Sequence, residues 1–485
     1  MLTQHRERED KFEVTEDFVL PGLDDLAAAG APVGTGSFRL ASLYHDTDDG
    51  DLRRARLTLR RRTGGPDAGW QLKLPAGRAR TEVASRSRTR TVPVALADVV
   101  QGLTRGRPLV PIAELRTDRT VSRLVDADGV LRAEVADDRV SSTTYGTSAR
   151  LDHWREVEVE LGPAGDEDLL AAIGSRLADA GAVPSAYGSK LSRALGTAPR
   201  AAEAEPPEIT TVADVVTRYI RAQCVEIFAG DLALRLGEPQ VHRTRVAIRR
   251  LRSTLRVFAG LLDAEPSQRL DVELSWFAGL LGEVRDREVL LIRLQQQVAE
   301  LEPELVLGPV AADLDAMLSG EAAQFMRTAR TEMGTPRHVE LLAAVARWQT
   351  EPAFLEGAAA PAKQVRTLVD SARATMRRRL KRALRPGPDF DERLHRARKA
   401  AKRARYAAEL AEPVWPNAAA VVEMAKDLQT RLGEHQDSAV SAAFLRRAGA
   451  AAGGRAGHNG FTYGLLLARE QQRAADIRAA LGVSD

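Results

Sequence analysis

The chain has 485 residues, 44% of them apolar, which is enough for two or three domains with cores of their own. Its 70 Lys+Arg against 67 Asp+Glu leave a net charge of only +3, so a polyanion site must come from local segregation of charge. One cysteine, Cys224, excludes an internal disulfide framework and fits a reducing cytoplasm. The first residues carry no apolar stretch of signal-peptide type, and no run of about 18 apolar residues occurs, so no membrane span is expected.

Eight segments of strand character come first, at roughly 6–14, 37–46, 56–62, 69–74, 80–88, 113–123, 130–138 and 153–161. Turn residues separate them, among them Asp49-Gly50, Gly64-Gly65-Pro66 and Asp128-Gly129. Helical pieces are expected over 22–30, 95–104, 167–180 and 186–195. Eight antiparallel strands of this length predict a closed or nearly closed barrel. Side chains alternate faces along a strand. Glu7, Glu9 and Lys11 therefore share a face, as do Arg60 and Arg62, Gln71 and Lys73, and Glu156, Glu158 and Glu160. The opposite faces carry Leu57 and Leu59, Leu72 and Leu74, Val157 and Val159. Charged faces turned outward would be ordinary solvated surface; turned inward they would enclose a polar tunnel. Four strands with regular charged pairs or triads favour the tunnel.

Residues 197–210 are rich in Ala, Pro and Glu without apolar period, and read as a linker between domains at 1–196 and 211–485. Beyond it nearly everything has helical period, and two motifs recur. His242-Arg-Thr-Arg245-Val-Ala-Ile-Arg249-Arg250-Leu-Arg252 matches His395-Arg-Ala-Arg398-Lys399-Ala-Ala-Lys402-Arg403-Ala-Arg405, 153 residues on. Leu281-Gly282-Glu283-Val-Arg285-Asp286 matches Leu432-Gly433-Glu434-His-Gln436-Asp437, 151 residues on. Recurrence in order at nearly equal offsets predicts a duplicated helical domain, with four-helix halves over about 211–350 and 360–485. The expected fold class is α+β: an antiparallel eight-stranded tunnel barrel followed by an all-α duplicated four-helix bundle domain.

His242, Arg245, Arg249, Arg252 and Arg256 step by three or four and line one helix face; His395, Arg398, Lys402 and Arg405 do the same. Neither stretch contains an acid, and like charges at this spacing destabilise a helix. A solvated basic face is the plain reading of one such helix. Two of them, duplicated, call for an anionic partner. The stripes lack interleaved aromatics for base stacking, which disfavours nucleic acid. A linear polyphosphate needs only regularly spaced charge and donors, which the arginine fork supplies.

These two segments resemble the CHAD domain, a helical family whose histidines and basic helices bind polyphosphate. The resemblance covers about 210–485. It implies that His242, Arg245, Arg249, Arg250 and Arg252 line an anion groove with His395, Arg398, Lys399, Lys402, Arg403 and Arg405. Asp286 and Asp437 read as structural partners of those arginines; His435 and His458 are left unassigned, lone histidines being more often satisfied core residues.

Glu7-x-Glu9-x-Lys11 resembles the ExExK signature of the CYTH, or triphosphate tunnel metalloenzyme, family. In order follow Tyr44–Thr47, Arg60-x-Arg62, Lys73, Glu82, Arg119, Asp137 or Asp138, Glu156-x-Glu158 and Lys190, so the resemblance spans 1–195. It implies a triphosphate clamp of Lys11, Arg60, Arg62, Lys73, Arg119 and Lys190. Carboxylates beside phosphate require a divalent ion between them, Mg²⁺ or Mn²⁺, held by Glu7, Glu9, Glu156 and Glu158. Asp137 is taken as a further ligand, with Asp138 the alternative in register. Arg116 competes with Arg119, and Glu160 belongs either to the tunnel or to its rim. No GxxxxGK[ST] phosphate loop occurs. The expected function is metal-dependent hydrolysis of inorganic triphosphate or a similar short chain, coupled to polyphosphate binding in the cytoplasm or at polyphosphate granules. The alternatives are a non-catalytic polyphosphate-binding or granule-targeting protein and an adenylate cyclase-like activity.

Overall fold

The N-terminal segment, expected as one strand, breaks at Arg8 because its two pieces belong to different ends of one sheet. β1 (Leu2–Glu7) pairs antiparallel with β6 (Ala79–Ser85), while β2 (Glu9–Val14) pairs antiparallel with β9 (Arg150–Leu161). Arg8 between them accepts a hydrogen bond from Leu161 N at 2.9 Å. The computed structural model describes residues 2–26, 34–76, 79–146, 149–196, 208–385, 387, 389–455 and 457–481. Within it the chain forms two compact units, Met1–Pro206 and Pro207–Asp485. Residues 197–207 of the expected linker and 27–30 of the expected first helix lie outside the described residues.

The other strands of the first unit are β3 (Gly34–Asp46), β4 (Thr58–Thr63), β5 (Gly69–Ala76), β7 (Val110–Val125), β8 (Leu131–Thr144) and the two-residue β10 (Val183–Pro184). They run in the order β1-β6-β5-β4-β3-β7-β8-β9-β2-β10. One nearly continuous segment thus serves both ends of the order, so the sheet curls back toward itself. The expectation of eight strands is corrected to ten, through the break at Arg8 and the addition of β10. Among the described residues four α-helices accompany the sheet: α1 (Asp51–Arg54), α2 (Val94–Thr104), α3 (Glu167–Asp179) and α4 (Lys190–Ala194).

Alternation sorts the faces. Phe12, Val135, Val157, Val159 and Leu161 turn outward and pack under Leu169, Leu170, Ile173 and Leu177 of α3. The Asp166 side chain caps α3, accepting from Leu169 N at 2.8 Å. Tyr44, Leu115, Val140 and Trp154 close one end of the enclosed space against Leu191 and Ala194 of α4. Charged side chains are left to line what the sheet encloses.

The second unit has nine α-helices among the described residues. The first half holds α5 (Val212–Leu236), α6 (Val241–Val257), α7 (Ala264–Ala299), α8 (Val310–Met333) and α9 (Pro336–Thr350). The second holds α10 (Val365–Ala383), α11 (Phe390–Ala411), α12 (Ala418–Ala452) and α13 (Phe461–Ala480). The repeated basic motif lies on α6 and α11, and the repeated Leu-Gly-Glu motif on α7 and α12. The second half has the expected four helices; the first has a fifth, α9, packed on α5. The halves share one core, in which Leu290, Leu294 and Leu314 of the first half meet Phe444, Leu445 and Leu466 of the second. On α11 the alanines 397, 400, 401, 404 and 408 are buried, and α6 approaches that helix. No helix among the described residues is long and apolar enough to cross a membrane.

Candidate functional site

The curled sheet encloses a cavity of about 210 Å³. Glu7, Glu9, Lys11, Arg60, Arg62, Lys73, Arg119, Glu158 and Lys190 line it. Glu156 is buried beside them, on Lys190. Asp138, fully buried, joins the site through bonds from Arg119 at 2.7 and 2.6 Å and an ion pair with Lys190 at 2.9 Å. Asp137 turns the other way and takes both arms of Arg155, at 2.9 and 2.7 Å. The assignment of Asp137 is therefore corrected to Asp138: neighbours on a strand face opposite sides. The same alternation settles Arg119 over Arg116, which is exposed and bonded to Glu114. Glu160 lines the cavity.

The cations and carboxylates interlock. Lys73 reaches Glu7 at 2.6 Å and Glu82 at 3.5 Å. Lys11 bridges Glu9, at 3.0 Å, and Glu158. Arg119 holds Glu158 at 2.8 Å. Arg60 leans on neutral groups, donating to Gln71 Oε1 at 2.6 Å and Tyr44 Oη at 3.3 Å, while Arg62 donates to Ser42 Oγ at 3.2 Å. Arg62 also meets Asp67 at 2.5 Å. Burial alone would raise the Glu9 carboxyl, but Lys11, Lys73 and Arg80 together outweigh it and the group falls to about 2. Burial likewise opposes ionisation of Glu158, and Lys11, Lys190 and Arg119 overcome it, holding the carboxyl well below the usual range. Burial, then Glu7, pushes Glu160 up to about 7 against a smaller pull from Lys73. Burial raises Glu82 as well, against the pull of Lys73.

Carboxylate oxygens of Asp138, Glu156 and Glu158 lie within 4.8 Å of one another. Lys190 Nζ sits against all three, at 2.9, 2.6 and 2.7 Å. The triad thus already holds a positive charge, and its hard oxygen donors suit Mg²⁺ or Mn²⁺. Glu9 Oε1 is buried without a hydrogen bond, 3.6 Å from Arg80 Nη1, and offers a further oxygen donor in the cavity. These residues fit a divalent ion, provided Nζ yields its place.

The basic residues of the helical unit divide into three groups. Arg252 and Arg256 are both bonded to Asp271 of α7, at 2.9 and 2.7 Å. Arg250 and Arg405 both meet Glu409, at 2.9 and 2.8 Å. The expectation of stripes in need of an anionic partner is corrected for these four: Asp271 comes from α7, and Glu409 from one turn beyond Arg405 on α11. A second group remains available. Arg249 Nε donates to Tyr406 Oη across the α6–α11 contact at 2.8 Å. Arg245 and Arg398 stand only loosely against Asp286 and Asp437, at 3.7 and 3.9 Å. A Cβ on Gly282 would lie 2.6 Å from Arg245 Nη1, and one on Gly433 3.3 Å from Arg398 Nη2. The repeated Leu-Gly-Glu-x-x-Asp motif therefore does one job twice, giving a guanidinium room and a loose acid. Burial, then Arg398 and Arg249, pushes the Lys402 ammonium down to about 7. Burial and neighbouring cations also depress His242 and His395. Lys399 and Arg403 form the third group and line a separate pocket with Arg379. Of the lone histidines, His435 is buried at the edge of Phe390 and His458 bonds Asp313 at 2.7 Å.

Sequence reasoning missed several site residues. Arg80 lines the cavity one alternation before Glu82 and could have been found by the same period. Asp67 comes from a turn and Tyr406 from a buried helix face, where no periodic signal marks them. Nor did any signal mark the buried pair His338–Asp231 at 2.7 Å.

The CYTH domain family matches residues 5–194 and the CHAD domain family residues 218–446. Two uncharacterised proteins of Mycobacterium tuberculosis, from different strains, are 35% identical to this chain over 503 residues, covering 99% of it and 95% of each relative. Among solved structures, PptA from Streptomyces chartreusis is similar at 24% identity and TM-score 0.47, covering 56% of this chain and 98% of its own. The CHAD domain from the plant Ricinus communis is similar at 24% identity and TM-score 0.46, covering 60% of this chain and 98% of its own.

Proposed function

Since the chain belongs to the family of proteins that join a CYTH domain to a CHAD domain, we propose that its first unit hydrolyses inorganic triphosphate or a similar short phosphate chain and that its second binds polyphosphate. One observation carries the reading: a single cavity collects Lys11, Arg60, Arg62, Lys73, Arg119 and Lys190 together with the carboxylates that would bring in a divalent ion. Arg60 exchanges the neutral Gln71 and Tyr44 for phosphate oxygens at small cost, and so grips the chain first. Lys11, Lys73 and Arg119, fixed by their carboxylates before substrate arrives, present positive charge that needs no reorganisation. A bound Mg²⁺ or Mn²⁺ at Asp138, Glu156, Glu158 and Glu9 would neutralise charge and polarise a phosphoryl oxygen. In the helical unit Arg245, Arg249, Arg398 and Lys402 form the groove, and polyphosphate there would bring the protein to polyphosphate granules.

The test is phosphate release from triphosphate, ATP, thiamine triphosphate and long polyphosphate, with and without Mg²⁺ or Mn²⁺, alongside an assay for cyclic AMP from ATP. Triphosphate turnover that needs the metal is the expected result. Binding without release from any of the four would replace it with the non-catalytic reading, and cyclic AMP formation with a cyclase.

A further inference from the structure

Between α6, α10 and α11 lies an open pocket of about 620 Å³, formed by a face of α11 other than the one that carries Arg398 and Lys402. Five cations line it: Arg256, Arg379, Arg396, Lys399 and Arg403. Arg256 is engaged with Asp271 and Arg396 with Glu392. Among the described residues no carboxylate lies within ion-pair distance of Arg379, Lys399 or Arg403. Burial, then Arg256 and Arg379, depresses the Arg403 guanidinium, so the cations are close enough to repel. Thr375 Oγ1 accepts from Arg378 at 3.1 Å, which leaves its own hydrogen to give. The floor is of small residues, Ala372 and Ala400, and no aromatic ring lines the pocket.

The duplication makes the feature more telling. The offset of 153 residues that relates the basic motifs also relates the starts of α5 and α10. At that offset Arg379 answers to Glu226, Arg396 to Arg243, Arg403 to Arg250, Ala372 to Tyr219 and Glu409 to Arg256. In the first half the equivalent place is filled and neutral. Arg243 is bonded to Glu226 at 2.5 Å, Arg250 to Glu409 at 2.9 Å, and Tyr219 Oη to Glu409 at 3.2 Å. In the second half both acids have become arginines and the tyrosine an alanine. One of two equivalent sites has been emptied and made cationic, the change that admitting an anion requires.

We infer that this pocket is a second anion site, which takes a compact oligophosphate of two or three phosphoryl groups, either free or as the end of a longer chain. Clustered phosphate oxygens match convergent guanidinium forks and a hydroxyl donor, while the lack of an aromatic face gives a nucleobase nothing to stack on. The choice of phosphate rests on the reading of the helical unit given above; the pocket itself does not.

Acylation of Lys399 by an amine-reactive ester, read by peptide mass spectrometry on the full chain in EDTA, reports on the site directly. Pyrophosphate is expected to protect Lys399 saturably while exposed Lys363 and Lys426 stay reactive. Arg379→Glu, on an exposed side chain, should raise the half-protecting concentration about tenfold or more. Ala372→Tyr, which restores the first half's filling and keeps every cation, should abolish protection. Arg249→Gln, in the groove, should weaken long-polyphosphate binding and leave protection of Lys399 unchanged, so the two readings fail separately. With long polyphosphate, protection in proportion to chain number identifies the chain end as ligand; protection by pyrophosphate alone identifies the free anion. Equal acylation of Lys399 at all pyrophosphate concentrations, or protection lost in Arg249→Gln but kept in Arg379→Glu, overturns the pocket.

Discussion

Lys402 makes polyphosphate binding dependent on pH in a way an ordinary lysine would not. In the empty groove burial and the charges of Arg398, Arg249 and Arg245 hold its ammonium near 7, against a small opposing pull from Asp437. A polyanion in the groove reverses that field and returns the group toward the usual lysine value. Binding therefore takes up a proton wherever the pH lies between the two values. The sign follows: affinity is fully present below pH 7 and falls as pH rises through the empty-groove value. With a free value about 7 and a bound value near 10, affinity drops roughly tenfold from pH 6 to pH 8, and about tenfold per further unit until the bound value is reached. At pH 7 about half a proton enters per site. Fluorescence anisotropy with labelled polyphosphate at fixed ionic strength gives the pH profile. Calorimetry in two buffers of different ionisation enthalpy gives the proton count. Lys402→Gln should flatten the profile above pH 7 and leave a residual slope at acid pH from His242 and His395, whose values are also depressed. An unchanged slope in Lys402→Gln, or no proton uptake at pH 7, would refute the reasoning.

Three further outcomes are expected. Glu9→Gln should abolish triphosphate turnover and leave polyphosphate binding intact; a variant with both properties unaltered removes Glu9 from the site. Gly282→Ala would put a Cβ 2.6 Å from the Arg245 guanidinium. The tip of that side chain can swing away, so thermal melting should hardly move while polyphosphate affinity falls several-fold; a collapse of melting temperature would mean that the glycine serves the backbone instead. Asp138→Asn takes one carboxylate from Arg119 and Lys190, which keep Glu158 and Glu156, and should cost about 1.5–3 kcal/mol in urea unfolding. Burial opposes ionisation of Asp138, but Lys190 and Arg119 hold its carboxyl below the usual range. Its stabilisation is thus present above the unfolded value of about 4 and lost as pH falls through the folded one. Stability of the parent that does not decline in acid relative to Asp138→Asn would contradict this.

What could be read without the structure was whatever repeats along the chain. Alternation put Glu7, Glu9 and Lys11, Arg60 and Arg62, and Glu156 and Glu158 on common faces, because a strand's period of two is local geometry. Spacing by three and four did the same for Arg245, Arg249 and Arg252. The offsets 153 and 151 revealed the duplication before any helix was seen. Alternation is symmetric, however, and could not say which face turns inward. The curl of the sheet decided that, by bringing β1 and β2 to its two ends, and it decided Asp138 over Asp137. Nor could spacing tell which arginines are already spoken for. Asp271 and Glu409 reach Arg252 and Arg250 from other helices, and the emptied pocket at Ala372 and Arg379 exists only where α10 meets α11. Local periodicity fixes which side chains share a face. The field and the free volume that face meets are set by residues distant in sequence, and only the packed chain assembles them.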